Sequence, residues 1–263
     1  MHPITKLTVP AGKLGIHWFE QSSYALKSTS GTLLLTDPYF PTDRPGEHFI
    51  HPQPPVNAAE LPADIVLLTH SHLDHTHPES IAPLHAAHPD VIYVGPQDAI
   101  DKVIAGDGID PAHTRVIQAG DTIQVKDVVI HAVYSKPPSG DPSAKIAPPD
   151  VPHLGYVVEM SGKRIYVSGD PINTFADLPE LVEPIAALKP DIGFMTTHPN
   201  EGEFPFFPGS ALMAQRIGLK VAVPAHYQCF VKRNYDPQEW AKHFTAGSPQ
   251  TLIIEHNSAI VWG

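Results

Sequence analysis

The sequence is poor in cysteine: among 263 residues there is one, Cys229. A single cysteine cannot form a disulfide within the chain, so nothing here points to an oxidising compartment. Long apolar runs are also missing. Residues 1–14 do not read as a signal peptide, and no segment is apolar for long enough to cross a bilayer. These absences predict a cytoplasmic protein with no membrane partner.

Positive charge is scarce as well. Lys and Arg number 17 against 28 Asp and Glu, which gives a formal net charge of −11. Such a balance argues against a nucleic-acid groove built on overall charge. The expected partner is therefore a small-molecule substrate, and a homo-oligomer is compatible with the sequence.

Histidine and proline are abundant. The 17 histidines equal all Lys and Arg together, and there are 30 prolines, many of them in two segments at 38–62 and 136–152. Prolines mark loops, where binding residues are often found. The hydrophobic content of 42% suffices for one large core. We therefore expect a single domain over residues 1–263 with long functional loops.

The pattern of apolar residues predicts strands punctuated by helices, which indicates an α/β or α+β fold with a sheet core and outer helices. Helices are predicted at 78–87, 97–105, 179–188, 210–217 and 237–244. Strands are predicted at 14–21, 24–27, 32–36, 65–69, 91–94, 115–117, 123–125, 128–134, 154–160, 163–168, 192–195, 221–223, 252–254 and 259–262.

The segment after the strand at 65–69 carries the clearest chemical signal. It places His70, His72, Asp74 and His75 within six positions. Imidazole and carboxylate groups together bind zinc, manganese, iron and similar divalent ions. A histidine-rich solvated turn is the alternative, but the cluster follows a buried strand, which favours a metal site.

Two further groups end strands in the same way. Asp170 closes the predicted hairpin strand, and its two carboxylate oxygens could bridge two ions. His226 follows the apolar strand at 221–223. Alone, each would be an ordinary turn residue; with the upstream cluster they predict one binuclear site.

In this order and context, His70, His72, Asp74, His75, Asp170 and His226 resemble the ligand pattern of the metallo-β-lactamase superfamily. Within it, the chain is most similar to the ascorbate-6-phosphate lactonase branch, over roughly residues 14–245. The resemblance implies a four-layer αββα sandwich with the site at one edge, between the two sheets.

The resemblance also implies a ligand assignment for two divalent metal ions, manganese or zinc. His70 and His72 hold one ion, Asp74, His75 and His226 hold the other, and Asp170 bridges them. The remaining ligand of the first ion is His153, with His131 as the rival. The rival lies inside a predicted strand, which is more typical of a core residue.

Other residues are candidates for catalysis and substrate binding. Asp74 would also orient the attacking nucleophile, and His198 would donate a proton to the leaving group, although a plain loop histidine is an equal alternative. Lys232 and Arg233 would bind a phosphate or carboxylate unless they are simply solvated. Phe206, in an aromatic loop, would wall the pocket, or else fill the core or form a subunit contact.

These features predict a metal-dependent hydrolase that uses a hydroxide held between two ions to cleave a lactone or related ester, with or without a phosphate. Phosphodiester or phosphotriester hydrolysis is the alternative. A di-iron oxygen-binding protein ranks lower, since no flavin-binding domain accompanies the site.

Overall fold

A computed structural model describes residues 2–200, 202–245 and 247–263. The strands are β1 Leu14–Glu20, β2 Ser23–Lys27, β3 Leu33–Thr36, β4 Ile65–Leu67, β5 Ile92–Gly95, β6 Thr114–Val116, β7 Thr122–Val125, β8 Val128–Tyr134, β9 Leu154–Met160, β10 Lys163–Val167, β11 Ile192–Thr196, β12 Val221–Ala225, β13 Gln250–Thr251 and β14 Ser258–Trp262. The α-helices are α1 Pro3–Lys6, α2 Pro78–Ala87, α3 Gln97–Asp107, α4 Pro179–Leu188, α5 Phe207–Ile217 and α6 Pro237–Ala241.

The strands form two seven-stranded mixed sheets, with the orders β14-β1-β2-β3-β4-β5-β6 and β13-β12-β11-β10-β9-β8-β7. In the first sheet the strands from β3 to β6 run parallel, and in the second those from β10 to β13 do. The carboxyl ends of β4, β10 and β12 are followed by His70, Asp170 and His226, respectively. In α/β sheets, ligands bind beyond the carboxyl ends of parallel strands.

The main core lies between the two sheets. Ile16 and Leu26 of the first sheet belong to the same buried cluster as Val157 and Phe194 of the second. Burying a side chain of this kind contributes roughly 1.5–3 kcal/mol. A separate cluster packs Ile81 and other residues of α2 and α3 on the first sheet's outer face. Helices α4 and α5 join the main cluster from the second sheet's other face. The predicted four-layer α/β arrangement is confirmed.

Four predicted elements keep their bounds: α2, α4, β8 and β9. The predicted hairpin turn is also present, because Ser161 and Gly162 both have positive φ, at 54° and 71°, as a two-residue turn between twisted strands requires. The predicted strand at 252–254 is wrong. Pairing with β12 stops at Thr251, so β13 covers Gln250–Thr251 alone.

Three predicted helix boundaries also moved, and one helix was missed. Helix α3 ends at Asp107, beyond the predicted end at 105. Helix α5 begins at Phe207, ahead of the predicted start at 210, with a proline in its first turn, where its missing N–H costs nothing. Helix α6 ends at Ala241, short of the predicted 244. The short α1 was not predicted. Among the described residues, no helix is both long and apolar enough to cross a membrane.

The proline-rich segment 38–62 is fastened to the first sheet by a buried ion pair. The guanidinium of Arg44 donates to both carboxylate oxygens of Glu20, at 2.6 and 2.9 Å, and both side chains are fully buried. The same guanidinium lies 4.6 Å above the ring of Phe49, which forms a backbone bridge with Phe230. This arrangement holds the segment beside the carboxyl ends of the strands.

Candidate metal centre

Three imidazoles meet at one side of the strand ends. His70 leaves β4 after Thr69, His72 lies two residues on, and His153 precedes β9. A nitrogen of each lies within 4.8 Å of the others. The rings of His70 and His153 stack at 4.1 Å, with His153 buried. Leu154 N–H donates to the Thr69 carbonyl, which aligns the start of β9 with the end of β4. This group has the donors of a three-histidine metal site.

A second group lies beside the first. Asp74, His75 and His226 also offer three ligand atoms within 4.8 Å of one another. Asp74 Oδ2 is 3.7 Å from His75 Nε2 and 3.5 Å from His226 Nε2. His226 reaches this point because its backbone turns out of β12 with a φ of 68°. Two histidines and a carboxylate suit a divalent ion of the same class.

Asp170 lies between the two groups. One carboxylate oxygen is 3.7 Å from His70 Nε2, and the other is 3.4 Å from His75 Nε2 and 3.7 Å from His226 Nε2. The preceding residue must be glycine, since Gly169 has a φ of 57° and a Cβ there would come within 2.4 Å of the Leu154 carbonyl oxygen. The turn thus directs Asp170 towards both groups.

Several ligand atoms are buried without a hydrogen-bond partner among the described residues: His70 Nε2, His75 Nε2, both ring nitrogens of His153, and Asp170 Oδ1. An unpaired buried polar atom costs roughly 1–3 kcal/mol, so such atoms seldom gather without a reason. They point towards one another from separate strand ends. The donor set therefore fits bound cations.

Burial and mutual charge set the protonation of these groups. Burial lowers the pKa of His70 well below its usual value, and burial with Lys136 nearby lowers the pKa of His153 to about 3. Burial raises the pKa of the Asp170 and Asp74 carboxyls, but nearby histidines, His75 first, lower it more, and both end below their usual range. Neutral imidazoles and ionised carboxylates are the forms that bind metal.

His75 is oriented from behind by Asp37, which follows β3. Asp37 Oδ2 accepts from His75 Nδ1 at 2.8 Å and from Thr69 Oγ1 at 2.7 Å, and its Oδ1 accepts from Thr69 N–H at 2.8 Å. Burial raises the pKa of Asp37, against the opposing effect of His75 and Thr69. A carboxylate bonded to the far nitrogen of a ligating histidine fixes the ring and its tautomer.

Asp37→Asn is expected to lower the affinity for metal by about 10- to 100-fold, because the imidazole loses the partner that holds it in place. Titration of the metal-free protein against a competing chelator measures this. Asp64→Asn is a matched control, since Asp64 caps the opposite end of β4 by accepting from Leu33 N–H. Equal metal affinity in the Asp37 variant and the control would contradict this role.

The structure brings His153, and not His131, to His70 and His72. His131 lies in β8, where Thr122 Oγ1 is 2.8 Å from its Nδ1 and Glu159 Oε1 is 3.3 Å from its Nε2. Both ring nitrogens of His131 are thus engaged with neighbouring strands. His77, two residues beyond His75, bonds Ser80 Oγ at 2.8 Å instead of joining the centre.

Two of the open cavities beside the centre are lined by His72, Asp170 and Arg233. The first, of about 530 Å³, also contains Asp74 and Lys232 in its wall. The second, of about 410 Å³, is bounded by Lys136, which is buried and ion-paired with Glu203. Positively charged lysine and arginine side chains therefore lie beside the ligand atoms in both cavities.

Two sequence candidates lie elsewhere. Phe206 caps α5 and lines neither cavity; Phe204 lines the second one, with its ring 4.7 Å from that of His226. His198 is buried, with its ring 6.3 Å from that of Tyr235 and its Nδ1 accepting from Asn200 N–H at 3.4 Å. Neither cavity is lined by His198.

Three residues at the centre had not been singled out from the sequence. Asp37 orients His75. Gln21 contacts both Asp74 and His226 at 2.8 Å. Asp150, in the second proline-rich loop, has oxygens at 3.0 and 3.2 Å from His72 Nε2. Of these, Asp37 alone carried a signal, since it ends a strand just as Asp170 does.

Comparison with known proteins agrees with this geometry. Residues 32–227 match the model of the β-lactamase superfamily domain. A UPF0173 metal-dependent hydrolase of Myxococcus xanthus is 30% identical over 83% of this chain and 72% of its own length. A probable L-ascorbate-6-phosphate lactonase, UlaG, of Salmonella newport is 29% identical over 67% of this chain and about half, 52%, of its own length.

Solved structures of similar fold are more distant in sequence. A metal-dependent hydrolase from Parabacteroides distasonis superposes with a TM-score of 0.67 at 21% identity, covering 93% of this chain and 94% of that one. The isothiocyanate hydrolase from Delia radicum gut bacteria gives 0.69 at 18% identity, covering 94% and 98%. The chain belongs to the β-lactamase superfamily, in which its relatives include metal-dependent hydrolases.

Proposed function

We propose that this protein is a binuclear metal-dependent hydrolase that cleaves a lactone or related ester of a small, anionic molecule. The observation that carries the proposal is the pair of three-ligand groups on either side of Asp170. Six of the ligands come from the cluster after β4 and from the ends of β10 and β12, and His153 completes the set. Manganese or zinc fits these donors.

Bound cations would lower the pKa of a water molecule between them, so that hydroxide is available near neutral pH. The chain's own groups then decide what is attacked. Asp74 lines the cavity with its side chain 25% exposed, so its carboxylate can accept a hydrogen bond from the attacking water. Lys136 and Arg233 lie where an anionic part of the substrate would rest.

The ester preference is supported by the relative described as a probable L-ascorbate-6-phosphate lactonase. The positively charged lysine and arginine side chains beside the ligand atoms suit a substrate that carries a phosphate or carboxylate. Phosphodiester hydrolysis needs the same metal pair, so the substrate class has to be decided by experiment.

The test is hydrolysis by protein reconstituted with manganese or zinc, run on lactones, on sugar-acid lactone phosphates and on bis(p-nitrophenyl) phosphate. Asp74→Ala serves as the inactive comparison. We expect metal-dependent turnover of a lactone that is lost in Asp74→Ala. Turnover of the phosphodiester alone would replace the lactonase proposal by a phosphodiesterase. No metal-dependent turnover in any class would refute the proposal.

Arg233→Met is expected to raise KM for a phosphorylated lactone by about 10-fold or more, because a charge-assisted hydrogen bond contributes about 1.5–3 kcal/mol. The value of kcat and the KM for an uncharged lactone should change little. The matched control is Arg115→Met, since Arg115 is exposed and bonds the carbonyls of Ala112 and Thr114 instead. Equal KM values in the two variants would exclude an anion-binding role for Arg233.

A further inference from the structure

Gln21 is held rigidly at the turn that follows β1. Its φ of 54° lies in the left-handed region. Its N–H donates to the Tyr227 carbonyl at 3.0 Å, and its carbonyl accepts from His226 N–H at 3.1 Å and from Trp18 Nε1 at 3.2 Å. These bonds join the first sheet to the segment that carries His226. The backbone of Gln21 is thus fixed relative to a metal-ligand candidate.

The side chain of Gln21 points into the second ligand group. It is fully buried, and its Nε2 is 2.8 Å from both Asp74 Oδ2 and His226 Nε2. The other amide atom, Oε1, is buried without a hydrogen-bond partner among the described residues. An unpaired buried oxygen costs roughly 1–3 kcal/mol, which calls for a partner.

The amide nitrogen occupies the position of a donor between two acceptors. Asp74 Oδ2 and His226 Nε2 both offer lone pairs, and an amide NH₂ has two hydrogens to give them. A cation bound by Asp74 and His226 needs the same lone pairs, and the amide nitrogen cannot itself coordinate it. Turning the amide by half a rotation exchanges Nε2 for Oε1 with little change of shape and presents the unpaired oxygen.

We propose that Gln21 coordinates the second ion through Oε1. This oxygen ligand biases the site towards hard, oxygen-preferring cations such as Mn²⁺. The first group consists of the imidazoles of His70, His72 and His153, which suit zinc. The second group gains a neutral oxygen beside the Asp74 carboxylate. Carboxylate and carbonyl oxygens favour Mn²⁺ and Mg²⁺. This inference rests on the binuclear part of the proposed function.

The test is the stepwise binding of Mn²⁺ to metal-free protein, followed by calorimetry and by electron paramagnetic resonance. Wild type is expected to bind two ions and to give the signal of a spin-coupled pair. Gln21→Met should bind the second ion at least about 10-fold more weakly and give the signal of isolated Mn²⁺, while the first ion binds as before. The matched control is Gln228→Met, because Gln228 lies in the same loop as His226 and contacts His51 at 3.3 Å.

Gln21→Glu separates ligation from a purely structural role. A second carboxylate next to Asp74 should lower the thermal stability of the metal-free protein, while the second Mn²⁺ should bind about 10-fold more tightly. The added charge alone would tighten the binding of Mn²⁺ and Zn²⁺ alike, so a residue that only donates a hydrogen bond to Asp74 would leave the ratio of the two affinities unchanged, whereas ligation through oxygen raises it in favour of Mn²⁺. Gln21→Glu also decides the question if Gln21→Met fails to fold.

The outcomes are distinguishable. One bound ion in wild type would contradict the binuclear site and with it both proposals. Two ions in wild type with unchanged binding in both Gln21 variants would leave the proposed function intact and overturn the role of Gln21.

Discussion

Asp170→Ala is expected to lose both metal ions and at least about three orders of magnitude in turnover, which corresponds to about 4 kcal/mol of transition-state stabilisation. The reason is that its two oxygens face different histidines, His70 on one side and His75 and His226 on the other. No other carboxylate among the described residues belongs to a group containing His70. Metal content per chain and kcat/KM measure the effect.

The control for this variant is Asp191→Ala. Asp191 precedes β11, at the opposite end of the sheet, where it accepts from Arg164 N–H and Lys220. We expect wild-type metal content there. If Asp170→Ala kept both ions and full turnover, the assignment of Asp170 as a bridging residue would be wrong.

Arg44→Met should lower the free energy of unfolding by about 3–5 kcal/mol, because the buried Glu20 carboxylate loses its bidentate guanidinium partner and keeps, as an ionic partner, the more distant His256, at 3.7 Å. The change corresponds to a fall in Tm of roughly 10 °C for a domain of this size. The pair also fastens the 38–62 segment, whose His48 and Phe49 line the first cavity. We therefore expect a higher KM as well. Thermal unfolding of the metal-free protein measures the loss of stability separately from the change in KM.

The double variant Glu20→Gln, Arg44→Met distinguishes lost charge pairing from lost packing. Replacing a whole buried ion pair by neutral groups costs far less than removing one partner. We expect it to recover a large part of the lost stability. A double variant as unstable as Arg44→Met would mean that packing around the guanidinium, including Phe49, is the main contribution.

The sequence predicted the parts of the site that are local in the chain. His70, His72, Asp74 and His75 lie within six positions after one buried strand. Asp170 and His226 each follow the end of another strand. Parallel strands bring their carboxyl ends to one edge, so alternating apolar strands followed by polar residues were sufficient to suggest a common site. His153 needed the family resemblance, because its own neighbourhood says only that it precedes a predicted strand, whereas His131 lies inside one.

What the sequence could not provide are contacts made across the sheets by ordinary residues. Gln21 and Asp150 lie in turns and loops, where glutamine and aspartate are common for reasons unrelated to metal. Gln21 reaches Asp74 and His226 because the β1–β2 turn bonds to the backbone after β12, a pairing that no local pattern encodes. Phe204 and Phe206 lie two residues apart in one loop, and the sequence alone does not tell that Phe204 lines the cavity while Phe206 caps α5.

The most direct test is the rate of lactone hydrolysis as metal-free protein is titrated with Mn²⁺, with bound metal measured in the same samples. We predict that the rate rises to a maximum at two ions per chain and that Asp170→Ala gives no rise. A rate independent of metal, or one that saturates at a single bound ion, would contradict a binuclear hydrolase.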